Sequence, residues 1–318
     1  MFKNFVPNKT FFTRDNPQDL RLGDFARSLT EVTDLKDSVV ILGYPDDEGI
    51  LNNKGRPGAK DAPKIIRENF YKMTPHLLKN IDSKIYDLGD LKIEGTLEDR
   101  HEKAQSALED LLKQTRVITL GGGHDYGYPD GAAFLEVFQK KSDKEQKPLI
   151  INFDAHLDVR PHKDNITSGT PFYRLLSKYR SELEVEFDFL EIGIQSHCNS
   201  RYHLEWAQSK DAHILSYDEI LYSGVSAHIK ILEFLEPFLL KKRACYLSVD
   251  IDGFSNAYAP GCSQSFATGF DPENFFTVFK VLRERLDVKL LGIYEVSPPL
   301  DQDNKTSKLA AQIMFESL

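Results

Sequence analysis

The stretch Leu149-Ile150-Ile151-Asn152-Phe153-Asp154-Ala155-His156-Leu157-Asp158 decides how this chain is read. Its first half is a mostly apolar, strand-length run, and its second half delivers three metal-binding side chains at once. Asp154, His156 and Asp158 stand at i, i+2 and i+4, a spacing that shares one face if the segment is extended. Two further segments repeat the design. Val117 to Leu120 runs into Gly121-Gly122-Gly123-His124-Asp125, and Tyr246 to Val249 runs into Asp250-Ile251-Asp252. The three glycines give the backbone room for a tight exit and for close approach of another segment.

Strand-length apolar runs also occur at Val39 to Leu42, Phe189 to Ile194, Ile214 to Ser216 and Leu290 to Tyr294. Helical patterns fall between most of these runs, at Ala62 to Met73, Leu97 to Lys113, Pro171 to Tyr179, Ser226 to Leu240 and Pro272 to Leu286, with a closing helix from Thr306. Continuously apolar strands alternating with helices imply a mostly parallel sheet covered on both faces. The expected fold is α/β: one three-layer αβα domain over residues 38–318, with a sheet of about eight strands and residues 1–37 as an N-terminal extension packed on it. In such a sheet the ligand site lies beyond the carboxyl ends of the strands. Five runs obey this rule, ending in Asp46-Asp47-Glu48, His124, Asp154 to Asp158, Asp250 to Asp252, and Glu295.

Composition narrows the function. The chain has 318 residues, 41% hydrophobic and 28% charged, a formal net charge of -9 and a pI near 5.5. An acidic surface repels nucleic acid, so a small-molecule substrate is expected in its place. No apolar run reaches the length of a membrane span, and the N-terminus lacks a signal-type apolar core, so a cytoplasmic protein is expected. Cys198, Cys245 and Cys262 have no Cys-x-x-Cys spacing. Cys198 and Cys245 read as small buried residues, and Cys262 as a wall of the site without a chemical role. The charged segment Gln139 to Lys147 reads as a solvated loop.

His124, Asp154, His156, Asp158, Asp250 and Asp252 form an oxygen-rich, thiolate-free set that suits manganese better than copper or structural zinc. Four aspartates carry four negative charges, which two divalent cations balance and one does not. Such a pair makes hydroxide at neutral pH.

These clusters resemble the ureohydrolase superfamily of arginases, agmatinases, guanidinobutyrases and formimidoylglutamases. The likeness runs from NKGRPGAKDAP (Asn53 to Pro63) through GGGHD, NFDAHLDVR, TSGTPF and SVDIDGFSNAYAPG to EVSPPLDQDNKTSKLAA. The resemblance implies two Mn2+ per chain, the first held by His124, Asp154, Asp158 and Asp250, the second by His156, Asp154, Asp250 and Asp252. It also implies hydroxide between the ions as nucleophile, Glu295 orienting the cationic nitrogen group of the substrate, and a homo-oligomer. Two departures set this chain apart from arginases and agmatinases: Ser168-Gly169 stands where they carry a His-Gly pair, and Ser255 where they carry a further acid. Both features resemble the formimidoylglutamase branch, which hydrolyses N-formimidoyl-L-glutamate to glutamate and formamide.

On that reading Asp158 is the candidate to pass a proton to the departing nitrogen, with Ser168 able only to relay, and His162 a weaker substitute. Two substrate carboxylates call for cations, and Arg56 is the first candidate by position, followed by Arg160, Arg201 and Lys54. Asp46, Asp47 and Glu48 keep open a guanidino substrate with a cationic tail. A third alternative is a relative that binds metal without catalysis.

Overall fold

The computed structural model describes residues 2–30, 34–75, 84–139, 147–162 and 165–318, so most of the segment Gln139 to Lys147 lies outside the described residues. Ten strands form one sheet: β1 Phe5–Val6, β2 Ala26–Ser28, β3 Ser38–Gly43, β4 Lys84–Leu91, β5 Arg116–Leu120, β6 Leu149–Phe153, β7 Asp188–Ile194, β8 Ala212–Ser216, β9 Ala244–Asp250 and β10 Asp287–Tyr294. The order is β1-β4-β3-β5-β10-β9-β6-β7-β8, with β2 paired to β4 off this path. All pairings are parallel except β1 with β4. The eight strands from β3 to β10 match the expected parallel sheet of about eight, and the N-terminal residues add two short strands to its edge.

Side-chain alternation explains the three layers. Val39 and Ile41 of β3 enter one buried cluster, together with the helices Ala62–Phe70, Ala227–Leu235, Pro272–Arg285 and Lys305–Glu316. Val40 and Leu42 point the other way, into a cluster closed by Leu97–Leu112, Gly127–Phe138 and Pro171–Leu175. A strand with apolar residues on both faces is covered by helices on both, as its unbroken apolar run requires.

The seven runs read as strands all lie within β3 and β5 to β10. β4, KIYDLGDL, escapes such a reading because its polar residues hide a buried role. Asp87 is fully buried and takes Arg67 Nε at 2.8 Å and the Tyr71 hydroxyl at 2.6 Å, while Arg67 also reaches Asp90 at 2.6 Å. Charge on this strand is matched by an arginine of the covering helix Ala62–Phe70, which makes burial tolerable.

The glycine run after β5 fits its expected purpose. A Cβ on Gly122 would stand 1.6 Å from the carbonyl oxygen of Asp46, in the loop after β3. The neighbouring Gly123 N–H donates to that same oxygen at 3.1 Å, and the Gly122 carbonyl accepts the Glu295 N–H at 2.9 Å. Three strand-end loops therefore touch backbone to backbone at one glycine. Gly122→Ala is expected to destabilise the protein by about 1–3 kcal/mol or more, because no flexible side chain can yield. Thermal unfolding checks this, and an unchanged melting temperature would refute the close approach.

Candidate metal centre

The residues that carry the site come from four adjacent strands. β5, β10, β9 and β6 lie side by side, and their carboxyl ends present His124, Glu295, Asp250 with Asp252, and Asp154 to Asp158. Parallel pairing aligns these ends: Ile293 sits beside Leu120, Tyr294 beside Asp250, and Val249 beside Phe153. Residues separated by up to 171 positions in sequence thus meet at one rim, and the His124 N–H donates to Glu295 Oε1 at 3.1 Å.

Local geometry differs from the simple alternation expected of DAHLD and DID. β6 stops at Phe153, and Asp252 lies in a short 3-10 turn, Ile251–Gly253, after β9. Both motifs turn by the same device. Asp154 Oδ1 accepts the His156 N–H at 2.6 Å, and Asp250 Oδ1 accepts the Asp252 N–H at 2.9 Å. Each aspartate closes a turn with one oxygen, as such side chains do. Its second oxygen faces the centre: Oδ2 of Asp154 and of Asp250 lie 3.2 and 3.1 Å from His124 Nδ1, and Asp158 Oδ2 lies 2.9 Å from it. Asp158 and Glu295 hold φ of 47° and 64°, left-handed values that cost non-glycine residues free energy and gather at functional sites.

Two groups of ligand atoms result, each within 4.8 Å of one another: His124, Asp154, Asp158 and Asp250, and then Asp154, His156 and Asp252. Asp154 belongs to both. Asp250, implied as shared, is in the first group only. His156 Nδ1 is 3.0 Å from Asp252 Oδ2 and 3.7 Å from Asp154 Oδ1.

The donor set fits a metal for two reasons. His124 Nδ1 is buried and makes no aligned hydrogen bond, although three carboxylate oxygens lie within 3.2 Å, whereas its Nε2 is bound to Ser248 Oγ at 2.9 Å. A buried nitrogen without a partner is costly unless a ligand takes its lone pair. Secondly, the acids have no arginine or lysine partner among the described residues. Burial first, and then the charges of Asp252 and Asp154, push Asp250 well above the carboxylate range, and burial takes Asp252 up to about 6 despite the opposing charge of His156. Asp158 is raised by burial and by Asp154. Glu295, buried at the same rim, is pushed up to about 8 by burial, with the His124 N–H opposing and Asp252 reinforcing. Bound divalent cations would remove this repulsion.

A cavity of about 330 Å³ opens onto the centre, with Asp158, Asp250, Asp252, His156 and Glu295 among its walls. Arg160 and Ser168 also line it, joined through Asn53: Arg160 Nη1 donates to Asn53 Oδ1 at 2.7 Å, and Asn53 Nδ2 donates to Ser168 Oγ at 3.1 Å. Gly169 lies beneath Arg160, where a Cβ would stand 2.8 Å from its Cδ and displace the side chain.

Arg56 lies elsewhere than expected. It is not a wall of the cavity; its Nε and Nη2 donate to the carbonyls of Ser263 and Cys262, each at 3.0 Å, so it pins one loop to another. Arg201 pairs with Glu205 on the surface, and the exposed His162 is tied to the Asn165 carbonyl at 3.2 Å. Asp46 and Glu48 pair with Arg100, and Asp47 accepts the Gly58 N–H at 2.8 Å, so none of the three faces the cavity. Cys262 is fully buried off the cavity, and the half-buried Cys198 is the cysteine that lines it. His197, Gln264 and Phe266, also walls, follow no pattern of acids at strand ends; only the position of His197 and Cys198 just beyond β7 could have marked them. Ser248 and Asn53 are similarly silent in sequence.

Comparisons with known proteins identify the family and the fold. Residues 37–318 match the Arginase family. A formimidoylglutamase of Streptococcus gordonii is 35% identical over 86% of this chain and 82% of its own length. A solved formimidoylglutamase from Bacillus subtilis superposes with a TM-score of 0.83 over 98% of this chain and 94% of that one, and at 24% identity it speaks to the fold. Formiminoglutamase from Trypanosoma cruzi with Mn2+2 gives 0.77 at 26% identity, over 94% of this chain and 97% of that one. A shared fold, a rim of aspartates and imidazoles and this similarity along nearly the whole sequence lead to one conclusion: the chain belongs to the arginase family, on its formimidoylglutamase branch.

Proposed function

We propose that this arginase-family hydrolase acts on N-formimidoyl-L-glutamate with two Mn2+ per chain, releasing L-glutamate and formamide. The observation that carries the reading is the mixed charge of the cavity, whose walls include the acids and imidazole of the candidate metal centre together with the guanidinium of Arg160. The substrate has the complementary shape of charge, a cationic amidine at one end and two carboxylates at the other. About 330 Å³ suits a molecule of this size.

His124, Asp154, Asp158 and Asp250 would hold one ion, and His156, Asp252 and the shared Asp154 and Asp250 the other. Such a pair, when bound, supplies a hydroxide-strength nucleophile at neutral pH. Glu295 is the counter-charge for the amidine nitrogen, kept in place by the His124 N–H. Asp158, on the cavity wall beside this rim, carries a proton to the amino nitrogen as its bond to the formimidoyl carbon breaks. Arg160, oriented by Asn53, takes a substrate carboxylate through a charge-assisted bond, while Ser168 fixes the Asn53 amide. A guanidino substrate with a cationic tail fits less well, because Asp46, Asp47 and Glu48 already have partners.

Three outcomes are expected. Manganese-loaded protein offered formimidoylglutamate, arginine, agmatine and guanidinobutyrate in parallel should release formamide from the first alone and bind two ions per chain. Urea without formamide would overturn the substrate, and less than one bound ion the catalysis. Arg160→Ala should raise KM for formimidoylglutamate roughly 10- to 100-fold with a smaller change in kcat, the effect of losing a charged hydrogen bond of about 1.5–3 kcal/mol. Glu295→Gln, which keeps an acceptor for the His124 N–H, should lower kcat/KM by about 2–4 kcal/mol equivalent while leaving metal content unchanged.

A further inference from the structure

Two strands that read as apolar runs, Leu149 to Phe153 and Phe189 to Ile194, each hide one polar side chain that the reaction does not use. Asn152 of β6 and Glu191 of β7 are fully buried and stand directly opposite each other in the parallel pairing. By strand alternation they share a face with Ile150 and Phe189, which belong to the apolar cluster on that side of the sheet, while Ile151, Phe153, Leu190 and Ile192 enter the cluster on the other. Apolar residues at both positions would simply continue the core. The polar pair costs desolvation instead, and that cost asks for a reason.

The Asn152 amide spends both Nδ2 protons on carboxyl oxygens, one on Asp154 Oδ2 at 3.2 Å and the other on Glu191 Oε2 at 2.9 Å. These partners fix its orientation, because an amide turned over would set Oδ1 against Asp154 Oδ2 with no proton between them. Glu191, ionised or neutral, keeps an oxygen that accepts from the amide. Among the described residues, neither Asn152 Oδ1 nor Glu191 Oε1 meets a hydrogen-bond partner. A contact that leaves two buried oxygens unsatisfied is poor support for the fold. It ends, however, on Asp154, whose Oδ1 closes a turn on the His156 N–H, whose Oδ2 faces His124, and which belongs to both ligand groups.

We propose that Glu191 is a positioning residue: by holding the Asn152 amide it aims Asp154 Oδ2, the oxygen that faces His124, into the metal centre. With Oδ1 spent on the turn and Oδ2 restrained by Asn152, the Asp154 carboxylate has both oxygens set before an ion arrives. Without Glu191 the amide loses its second anchor and is free to turn, and Asp154 Oδ2 loses a fixed donor. The inference rests on the reading of Asp154 as a manganese ligand.

Two substitutions at one position separate positioning from charge. Glu191→Met removes the acceptor at similar length, whereas Glu191→Gln removes any charge but keeps an oxygen for the amide. Manganese dissociation constants from competition with a chelator are expected to rise roughly 10- to 100-fold for Glu191→Met and less than about 3-fold for Glu191→Gln. Metal-free Glu191→Met should melt no lower than the unaltered protein, because it buries no carboxyl group. Asn152→Leu should weaken manganese at least as much, and adding Glu191→Met to it should change the affinity no further, since Glu191 acts only through the amide. Equal losses in the Met and Gln variants, an unchanged affinity in Glu191→Met, a lower melting temperature beside its weaker binding, or a further loss in the double variant would each overturn the inference. If Asp154→Ala binds manganese as tightly as the unaltered protein, the fault lies in the ligand assignment itself, and the inference falls with it.

Discussion

Four aspartates and a glutamate crowd one buried rim against their own repulsion, and the structure is best understood as the means of holding them there. Elsewhere in the fold several buried acids have matched partners: Asp87 has Arg67, Asp46 has Arg100, and Asp130 has the hydroxyls of Tyr44, Thr119 and Tyr294. At the rim, among the described residues, the basic side chains beside the aspartates are the imidazoles of His124 and His156. Several crowded carboxylates without a guanidinium partner form a donor set whose repulsion divalent cations would relieve.

Several local devices resist that repulsion. Asp154 and Asp250 each use one oxygen to close their own turn, which fixes the aim of the other. Asp158 and Glu295 are held in left-handed backbone, a conformation that persists because packing around it leaves no alternative. His124 is fixed from behind by Ser248 and by the face of Tyr294. Rigidity of this kind matters for a metal centre, whose ligands are useful only if their orientation is set before the ion arrives.

Much of this was legible in the residues. Seven strands announced themselves as apolar runs, because strands covered on both faces have no polar side to interrupt them. β4 did not, since Asp87 looks like a loop residue until Arg67 is brought to it by the helix Ala62–Phe70. The six candidate metal ligands were legible because their chemistry is concentrated in three short motifs. The cavity wall was not. Arg56 and Arg160 are alike in sequence terms, each an arginine in a loop near a motif, yet one is spent on two backbone carbonyls and the other faces the cavity through Asn53.

The sequence by itself determined the layered fold, the identity of the acids and imidazoles and their delivery to the ends of strands, because period, residue chemistry and strand-to-loop order are all local properties. Tertiary structure alone decided which of these ends became neighbours, through the order β5-β10-β9-β6. It also decided which oxygen of each aspartate faces the centre and which arginine borders the cavity. Those choices depend on pairing and hydrogen bonding between residues far apart in the chain, where spacing along the sequence no longer limits which groups can meet.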